Sequence, residues 1–314
     1  MRIVFLGTGA GMPSRRRNVS AIALDLTEEN EGIWLFDCGE GTQHQLLKSP
    51  LKMGKINRLF ITHLHGDHIY GIPGLLTSRG YQGGESPLVV YGPPGIKSYI
   101  SAVLNISDAR LPYDCEIVEI GEEGALFAEG EYKVSVHKLE HRIDSYGFRI
   151  EEKDRIGSLD ADKLRKLGVP PGPLYGCLKK GQSVRLDDGT VINGQDFIGP
   201  GQRGRTIAIL GDTRYCAAAK KLAAGADLLV HEATFSGELE DLAHKYYHAT
   251  SRQAAEIARD SGVRTLVLTH ISQRYQDDAE QLEAEAREIF RRTYLAEDLW
   301  SIEIPRLSHS GEEV

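Results

Sequence analysis

Residues 58 to 68 read Arg58-Leu59-Phe60-Ile61-Thr62-His63-Leu64-His65-Gly66-Asp67-His68, an apolar, strand-like run that ends in three histidines and an aspartate within six positions. Imidazole nitrogens and carboxylate oxygens together suit zinc or a similar first-row ion. One histidine at such a place would be an ordinary polar residue; four donors in a single turn signal a metal site. The fold must therefore hold this strand end rigid while leaving its loops open to substrate.

Three later residues stand in the same relation to a strand pattern. His141 follows the run from Tyr132 to Leu139, Asp212 follows Ile207-Ala208-Ile209-Leu210-Gly211, and His270 follows Leu266-Val267-Leu268-Thr269. Each alone reads as a loop residue, and His137 competes with His141 for its part. Their recurrence at strand ends makes them candidates to complete the site.

Around them, short β-rich runs alternate with Gly/Pro turns and helical stretches, which predicts a mixed α/β class. Strands are expected at 2–6, 21–26, 32–36, 58–62, 88–91, 132–138, 145–150, 206–210, 228–230 and 265–269. Helices are expected at 42–47, 97–104, 217–223, 251–261 and 279–294. Gly7-Thr8-Gly9-Ala10-Gly11 follows the first strand as a dinucleotide loop would. The next residues, Met12 to Asn18, are turn-like and basic where a helix should open, so the expectation is a tight turn beside the metal pocket and no nucleotide cofactor. Arg15, Arg16 and Arg17 in that turn are candidates for phosphate contact, against the alternative of a solvated loop.

Charge narrows the partners. The 314-residue chain carries a formal net charge of −8, so its summed field repels nucleic acid, and such a partner must be met by a local basic patch. One exists between Lys163 and Arg185, where Lys163, Arg165, Lys166, Lys179, Lys180 and Arg185 stand without an acidic residue. The patch lies in an insertion, 151–203, between the strand ending at Ile150 and the strand beginning at Thr206. Its centre, Gly168 to Gly181, is rich in Gly and Pro and reads as a protruding loop, neither helix nor central strand. Lysines there would grip phosphates without reading bases; the alternative is a solvated surface loop. Cys38, Cys115, Cys177 and Cys216 form no C-x-x-C pair, and no apolar run approaches the ~18 residues of a membrane span. The N-terminus runs straight into Gly-Thr-Gly without the apolar region of a signal peptide. The expectation is a soluble cytoplasmic protein with reduced thiols.

The spacing His-x-His-x-Asp-His resembles the signature of the metallo-β-lactamase superfamily, which implies a four-layer αβ/βα sandwich. Further stretches sharpen the likeness: Pro13-Ser14-Arg15-Arg16-Arg17-Asn18, the Pro-Leu-Tyr-Gly-x-Leu-Lys segment, Leu210-Gly211-Asp212-Thr213, His231-Glu232-Ala233-Thr234-Phe235 and Tyr247-His248-Ala249-Thr250. Together they resemble the short form of the ribonuclease Z family nearly end to end. The resemblance implies a single catalytic domain over 1–314 with 151–203 as an inserted flexible RNA-binding arm. It implies two Zn²⁺ per subunit, with Mn²⁺ as an alternative. His63, His65 and His141 would hold the first ion, Asp67, His68 and His270 the second, and Asp212 would bridge them. Such a pair makes water acidic and neutralises charge on phosphate, and its histidines must be neutral to bind.

The implied reaction removes the 3′ trailer from precursor tRNA, leaving a 3′-hydroxyl on the tRNA and a 5′-phosphate on the trailer. The implied assembly is a homodimer in which one subunit's arm clamps tRNA for the other's site, with Lys163, Lys166, Lys179 and Lys180 as contacts. Asp67 resembles the family's proton acceptor, His248 the residue that assists the departing 3′-oxygen, and Glu232 a residue that orients a histidine. Thr250 begins a capping box, Thr250-Ser251-Arg252-Gln253, whose helix would aim free amides at a phosphate. His44, His137, His231, His244 and His309 receive no role. Two rival readings stand: a hydrolase of small phosphodiesters or aryl sulfates, and an RNA-binding module that keeps the fold without catalysis.

Overall fold

The computed structural model of the chain describes residues 1–308; His309 lies outside the described residues. Apolar residues alternate between two cores along each central strand. In Arg2–Gly7, Ile3 and Phe5 enter one core while Val4 and Leu6 enter another. In Thr206–Leu210, Ile207 and Ile209 enter that first core and Ala208 and Leu210 a third. A strand apolar on both faces needs cover on both. Two seven-stranded sheets satisfy that need. The first runs in the order Ser301–Glu303, Arg2–Gly7, Ala21–Leu26, Gly32–Phe36, Ile56–Phe60, Leu88–Gly92, Cys115–Glu119. The second runs Thr293–Leu295, Leu266–Thr269, Leu228–Glu232, Thr206–Leu210, Ser145–Glu152, Tyr132–Leu139, Gly124–Glu129.

The sheets face one another through aromatic rings. Phe36 and Phe60 of the first sheet stack at 4.7 Å, and Phe148 of the second meets Phe60 edge-on at 5.3 Å. Each fully buried ring of this kind contributes roughly 1.5–3 kcal/mol. Outside the first sheet, Thr42–Lys48, Ile72–Tyr81 and Ile96–Ile106 bury Leu46, Leu75 and Ile100. Outside the second, Ala217–Ala223, Ser251–Asp260 and Glu280–Ile289 bury Leu222, Ile257 and Leu282. The architecture is a four-layer αβ/βα sandwich. Thr206–Leu210, Leu228–Glu232 and Leu266–Thr269 pair in parallel, so their C-terminal ends share one edge of the sheet.

Several boundaries differ from the sequence pattern. The helix expected over 279–294 stops at Ile289, and Thr293–Leu295 instead pairs in parallel with Leu266–Leu268. β-branched Thr293 and aromatic Tyr294 suit a strand, and the open sheet edge supplies their backbone partners. The helix Ile72–Tyr81 went unpredicted because Pro73 and Gly74 disguise it; Pro is tolerated in a first turn. No helix opens after Gly7-Thr8-Gly9: a Cβ on Gly7 would stand 1.8 Å from the Val19 carbonyl oxygen, so the glycine permits a close return of the chain.

Glu151–Arg205, with residues 305–308, forms a second compact unit. Its centre is not the loop that its Gly and Pro content suggested. Ala161–Lys166 and Pro173–Lys179 are helical, and Ser183–Arg185 pairs with Val191–Asn193. Pro173 sits in the first turn, where its missing N–H leaves nothing unpaired, and Leu164, Val169, Leu178, Val184, Ile192 and Phe197 make a small core. Lys163, Lys166, Lys179 and Lys180 remain exposed on this unit. At its root the Glu152 carboxylate accepts from Arg205 Nε at 2.7 Å, Arg205 Nη2 at 3.0 Å and Arg306 Nη2 at 2.7 Å.

Candidate active site

The donors predicted from strand ends converge. His65 Nδ1 lies 3.1 Å from His63 Nε2 and 3.2 Å from His141 Nε2, and His63 Nε2 lies 3.6 Å from Asp212 Oδ2. Beside this set, His270 Nε2 lies 3.4 Å from both His68 Nε2 and Asp67 Oδ2. Asp212 faces both sets, with Oδ1 3.6 Å from His68 Nε2 and Oδ2 3.3 Å from His270 Nε2. These seven side chains form two adjoining groups able to hold metal ions. His137, the competitor of His141, points elsewhere and meets Glu123 Oε2 at 3.2 Å.

The outer ring nitrogens are anchored. His68 Nδ1 faces Asp37 Oδ2 at 2.7 Å, His141 Nδ1 the Tyr247 carbonyl at 2.9 Å, His270 Nδ1 Thr234 Oγ1 at 3.0 Å and His63 Nδ1 Thr62 Oγ1 at 3.0 Å. Anchoring the outer nitrogen fixes the ring and turns the inner lone pair toward a metal. Three residues of this network, Asp37, Tyr247 and His270, hold left-handed backbones at φ 58°, 62° and 56°. Such positions cost about 1–3 kcal/mol each and persist only where the surroundings impose them.

Charge supports a cation. Burial pushes His63 and His65 down, which leaves them neutral with lone pairs free. Burial would raise Asp67, yet His270 and His68 hold it far below the usual carboxylate range; Asp212 is likewise held low by His270, His68 and His63. Burial would lower His68, but Asp212 and Asp37 push it well up. The anionic carboxylates thus draw positive charge onto a buried imidazole, and a metal ion would supply that charge while leaving the imidazole neutral. The residues fit a metal.

Glu232, at the end of its strand, lies against His248: Oε1 is 2.8 Å from His248 Nδ1 and accepts from the Thr213 amide at 2.9 Å. Its other oxygen accepts from the Thr234 hydroxyl, which also reaches His270. Burial would raise Glu232, but His248 holds it low; burial would lower His248, but Glu232 and then Asp212 push it up to about 9. His65, Asp67, His141, Asp212 and His270 open onto a cleft of about 350 Å³ that is also lined by Gly11, Arg142, Phe235, Tyr246, His248 and Arg274.

Two of the expected substrate contacts have buried side chains. Arg17 is buried, and its Nη1 donates to Thr8 Oγ1 at 2.6 Å and to the Ala296 carbonyl, so its guanidinium braces the turn while Arg15 and Arg16 stay exposed. Thr250 is buried and accepts from the Gln253 amide at 3.2 Å within its capping box; its hydroxyl serves the helix. Sequence reasoning missed Asp37, whose Oδ2 also accepts from Thr62 Oγ1 at 2.8 Å. A signal was present, for Asp37 follows the apolar run Ile33-Trp34-Leu35-Phe36 as the other candidates follow theirs. His44 is exposed, His231 is buried against the Glu232 carbonyl at 2.7 Å, and His244 Nε2 lies 3.2 Å from Arg214 Nη1.

A family model described as anti-Pycsar protein Apyc1 matches residues 1–163, and one described as a beta-lactamase superfamily domain matches 196–271. Relatives span both stretches. A ribonuclease Z of Bacillus cereus is 56% identical over 307 residues, 98% of this chain and 100% of the relative, and one of Bacillus thuringiensis matches equally. Human tRNase Z, short form, superposes with a TM-score of 0.71 at 33% identity, covering 97% of this chain and 100% of that one. The metallo-β-lactamase fold protein YhfI of Bacillus subtilis, at 18% identity and a TM-score of 0.67 over 96% and 98%, shares the fold. With that identity sustained from end to end over this fold, the chain belongs to the ribonuclease Z family of the metallo-β-lactamase superfamily.

Proposed function

We propose that this chain is a zinc-dependent endoribonuclease that removes the 3′ trailer from precursor tRNA, leaving a 3′-hydroxyl on the tRNA and a 5′-phosphate on the trailer. One observation carries the reading: Asp212 stands within 3.6 Å of both donor sets in a cleft lined also by His248, which pairs with Glu232, in a chain 56% identical to a ribonuclease Z. His63, His65 and His141 would hold one zinc, Asp67, His68 and His270 the second, with Asp212 between them; manganese suits the same donors. Bound there, such ions lower the pKa of water toward neutrality and offset charge developing on phosphate.

The chain's own groups do the rest. Asp67, which lines the cleft beside His270, accepts the proton of the attacking water. His248, kept protonated by Glu232, donates to the 3′-oxygen as the phosphodiester breaks. Arg15 and Arg16 beside the cleft loop, and Lys163, Lys166, Lys179 and Lys180 on the basic unit, grip tRNA phosphates. The exposed lysines favour RNA over a small phosphodiester, which needs no such arm. The reading includes a homodimer in which one subunit's arm serves its partner's site, and a cytoplasmic location. Among the described residues, no helix is long and apolar enough to cross a membrane.

The test is cleavage of a radiolabelled precursor tRNA bearing a 3′ trailer, with and without chelator, mapped to the nucleotide. A chelator-sensitive cut beside the discriminator base is expected. No cut, with chelator-sensitive hydrolysis of bis-p-nitrophenyl phosphate, would replace this reading with the small-substrate one.

A further inference from the structure

Asp298 joins segments far apart in sequence. Its Oδ1 accepts from the Thr8 amide at 3.1 Å and Thr8 Oγ1 at 2.8 Å, and its Oδ2 from the Asn18 amide at 2.7 Å and Gln45 Nε2 at 2.8 Å. Thr8 and Asn18 are the two stems of one loop, which the Gly9 amide closes by donating to the Asn18 carbonyl at 2.8 Å. Arg17 braces the same node through Thr8 Oγ1. Four donors on one carboxylate fix both stems at once. The next residue, Leu299, takes a left-handed backbone at φ 66°, a conformation that aliphatic side chains avoid.

The tip of that loop reaches the site. The Gly11 amide donates to Asp67 Oδ2 at 2.8 Å, the same oxygen that faces His270. The Ala10 amide donates to the Ile271 carbonyl at 3.0 Å, and the Ile271 amide to the Thr8 carbonyl at 2.8 Å, so the loop also forms a ladder with the residue after His270. Asp67 and His270 come from opposite sheets and lie some two hundred positions apart, and this loop touches both chain segments. The loop thus holds the second set through Asp67 and the backbone after His270, while His63, His65 and His141 receive no hydrogen bond from it in the described contacts.

We propose that Asp298 is a positioning residue: by clamping the loop stems it sets the Asp67 carboxylate and the His270 backbone, and so tunes one donor set, Asp67, His68 and His270, independently of the other. It touches neither substrate nor metal. The inference rests on the metal reading above but goes further, assigning a role to a carboxylate outside the cleft and predicting unequal behaviour of the two sets.

The test uses the full chain stripped with chelator and titrated calorimetrically with zinc alone, alongside precursor-tRNA kinetics and thermal unfolding. The variants are Asp298→Asn, which keeps one acceptor oxygen for four donors, and the pair Thr8→Val and Thr8→Ser, of which only Ser keeps the hydroxyl. Losing a group hydrogen-bonded to a metal ligand typically alters affinity by roughly 10–100-fold, and Asp298 holds the loop that carries such a group, the Gly11 amide. One zinc step should therefore weaken by about 10-fold in Asp298→Asn and Thr8→Val, the low end of that range, with the other within about twofold. In both, kcat should fall while KM for precursor tRNA holds, and Thr8→Ser should restore zinc affinity and kcat. Two unaltered zinc steps, or an equal weakening of both that tracks only the loss of melting temperature, would overturn the proposal. If Asp298→Asn does not fold, the Thr8 pair alone decides. A wild-type chain that binds no zinc and cuts no precursor would fail the functional reading itself, a result distinct from both.

Discussion

Glu232 Oε1 stands 2.8 Å from His248 Nδ1 while the same oxygen receives the Thr213 amide at 2.9 Å, so the carboxylate that charges the imidazole is itself fixed by backbone. That carboxylate keeps His248 protonated at a pH where an ordinary histidine is neutral. The sign follows directly. A proton donor with a raised pKa is competent below that pKa and lost as pH rises through it. Glu232→Gln removes the anion, so the alkaline fall in single-turnover rate should begin at lower pH than in wild type. His248→Ala should lower kcat by roughly 10²–10⁴-fold, the usual worth of a positioned acid. An alkaline limb unmoved in Glu232→Gln would show that another group donates the proton.

Asp67→Ala should abolish turnover and leave precursor-tRNA affinity within a few-fold, because Asp67 lies at the cleft and the lysines lie on the other unit. Filter binding and single-turnover cleavage on the same preparation separate the two. Substantial residual cleavage would end the assignment of Asp67 as base.

Neutralising Lys179 and Lys180 together should weaken precursor binding and flatten its salt dependence. Each lost phosphate contact lowers the slope of log K against log salt by about 0.7–0.9. Hydrolysis of bis-p-nitrophenyl phosphate should be unchanged, since the arm is not needed to place a small ester. Equal losses on both substrates would argue for damage to the fold.

The three neighbouring arginines should separate in opposite ways. Arg17→Ala removes a buried guanidinium from Thr8 and Ala296 and should lower stability by roughly 1.5–3 kcal/mol, read by denaturant melts. The double change of exposed Arg15 and Arg16 to Ala should leave the melt near wild type and weaken RNA binding. A stable Arg17→Ala with impaired binding would restore Arg17 to the substrate contacts.

Dialysis against chelator should eliminate cleavage and lower the melting temperature, because Asp37, Asp67 and Asp212, each 2.7–3.6 Å from a His68 ring nitrogen, then lose the bound cation that offsets their charge. Readdition of zinc should restore both, and manganese readdition tests the alternative ion.

The metal candidates were legible because a strand end is a local event. An apolar run followed by a histidine or aspartate can be seen without knowing the fold, and His63, His141, Asp212 and His270 all obey it. Asp37 obeys it too, at the end of Ile33-Trp34-Leu35-Phe36. Arg15, Arg16 and Arg17 could not be sorted by sequence, since what distinguishes them is the distant Ala296 carbonyl. The helix Pro173–Lys179 was hidden for a related reason: local Gly and Pro argue against it, and the small core around Leu178 that favours it assembles from residues up to Phe197.

The left-handed backbones at Asp37, Tyr247 and His270 bear on how this enzyme can adapt to heat. Glycine relieves such a position, so a population selected for thermal persistence alone would drift toward it. At Asp37 and His270 that drift deletes a side chain bound to the metal network. Tyr247 serves His141 through its carbonyl, which glycine retains. Of these three routes to a more durable scaffold, selection for tRNA maturation closes two and leaves the third open.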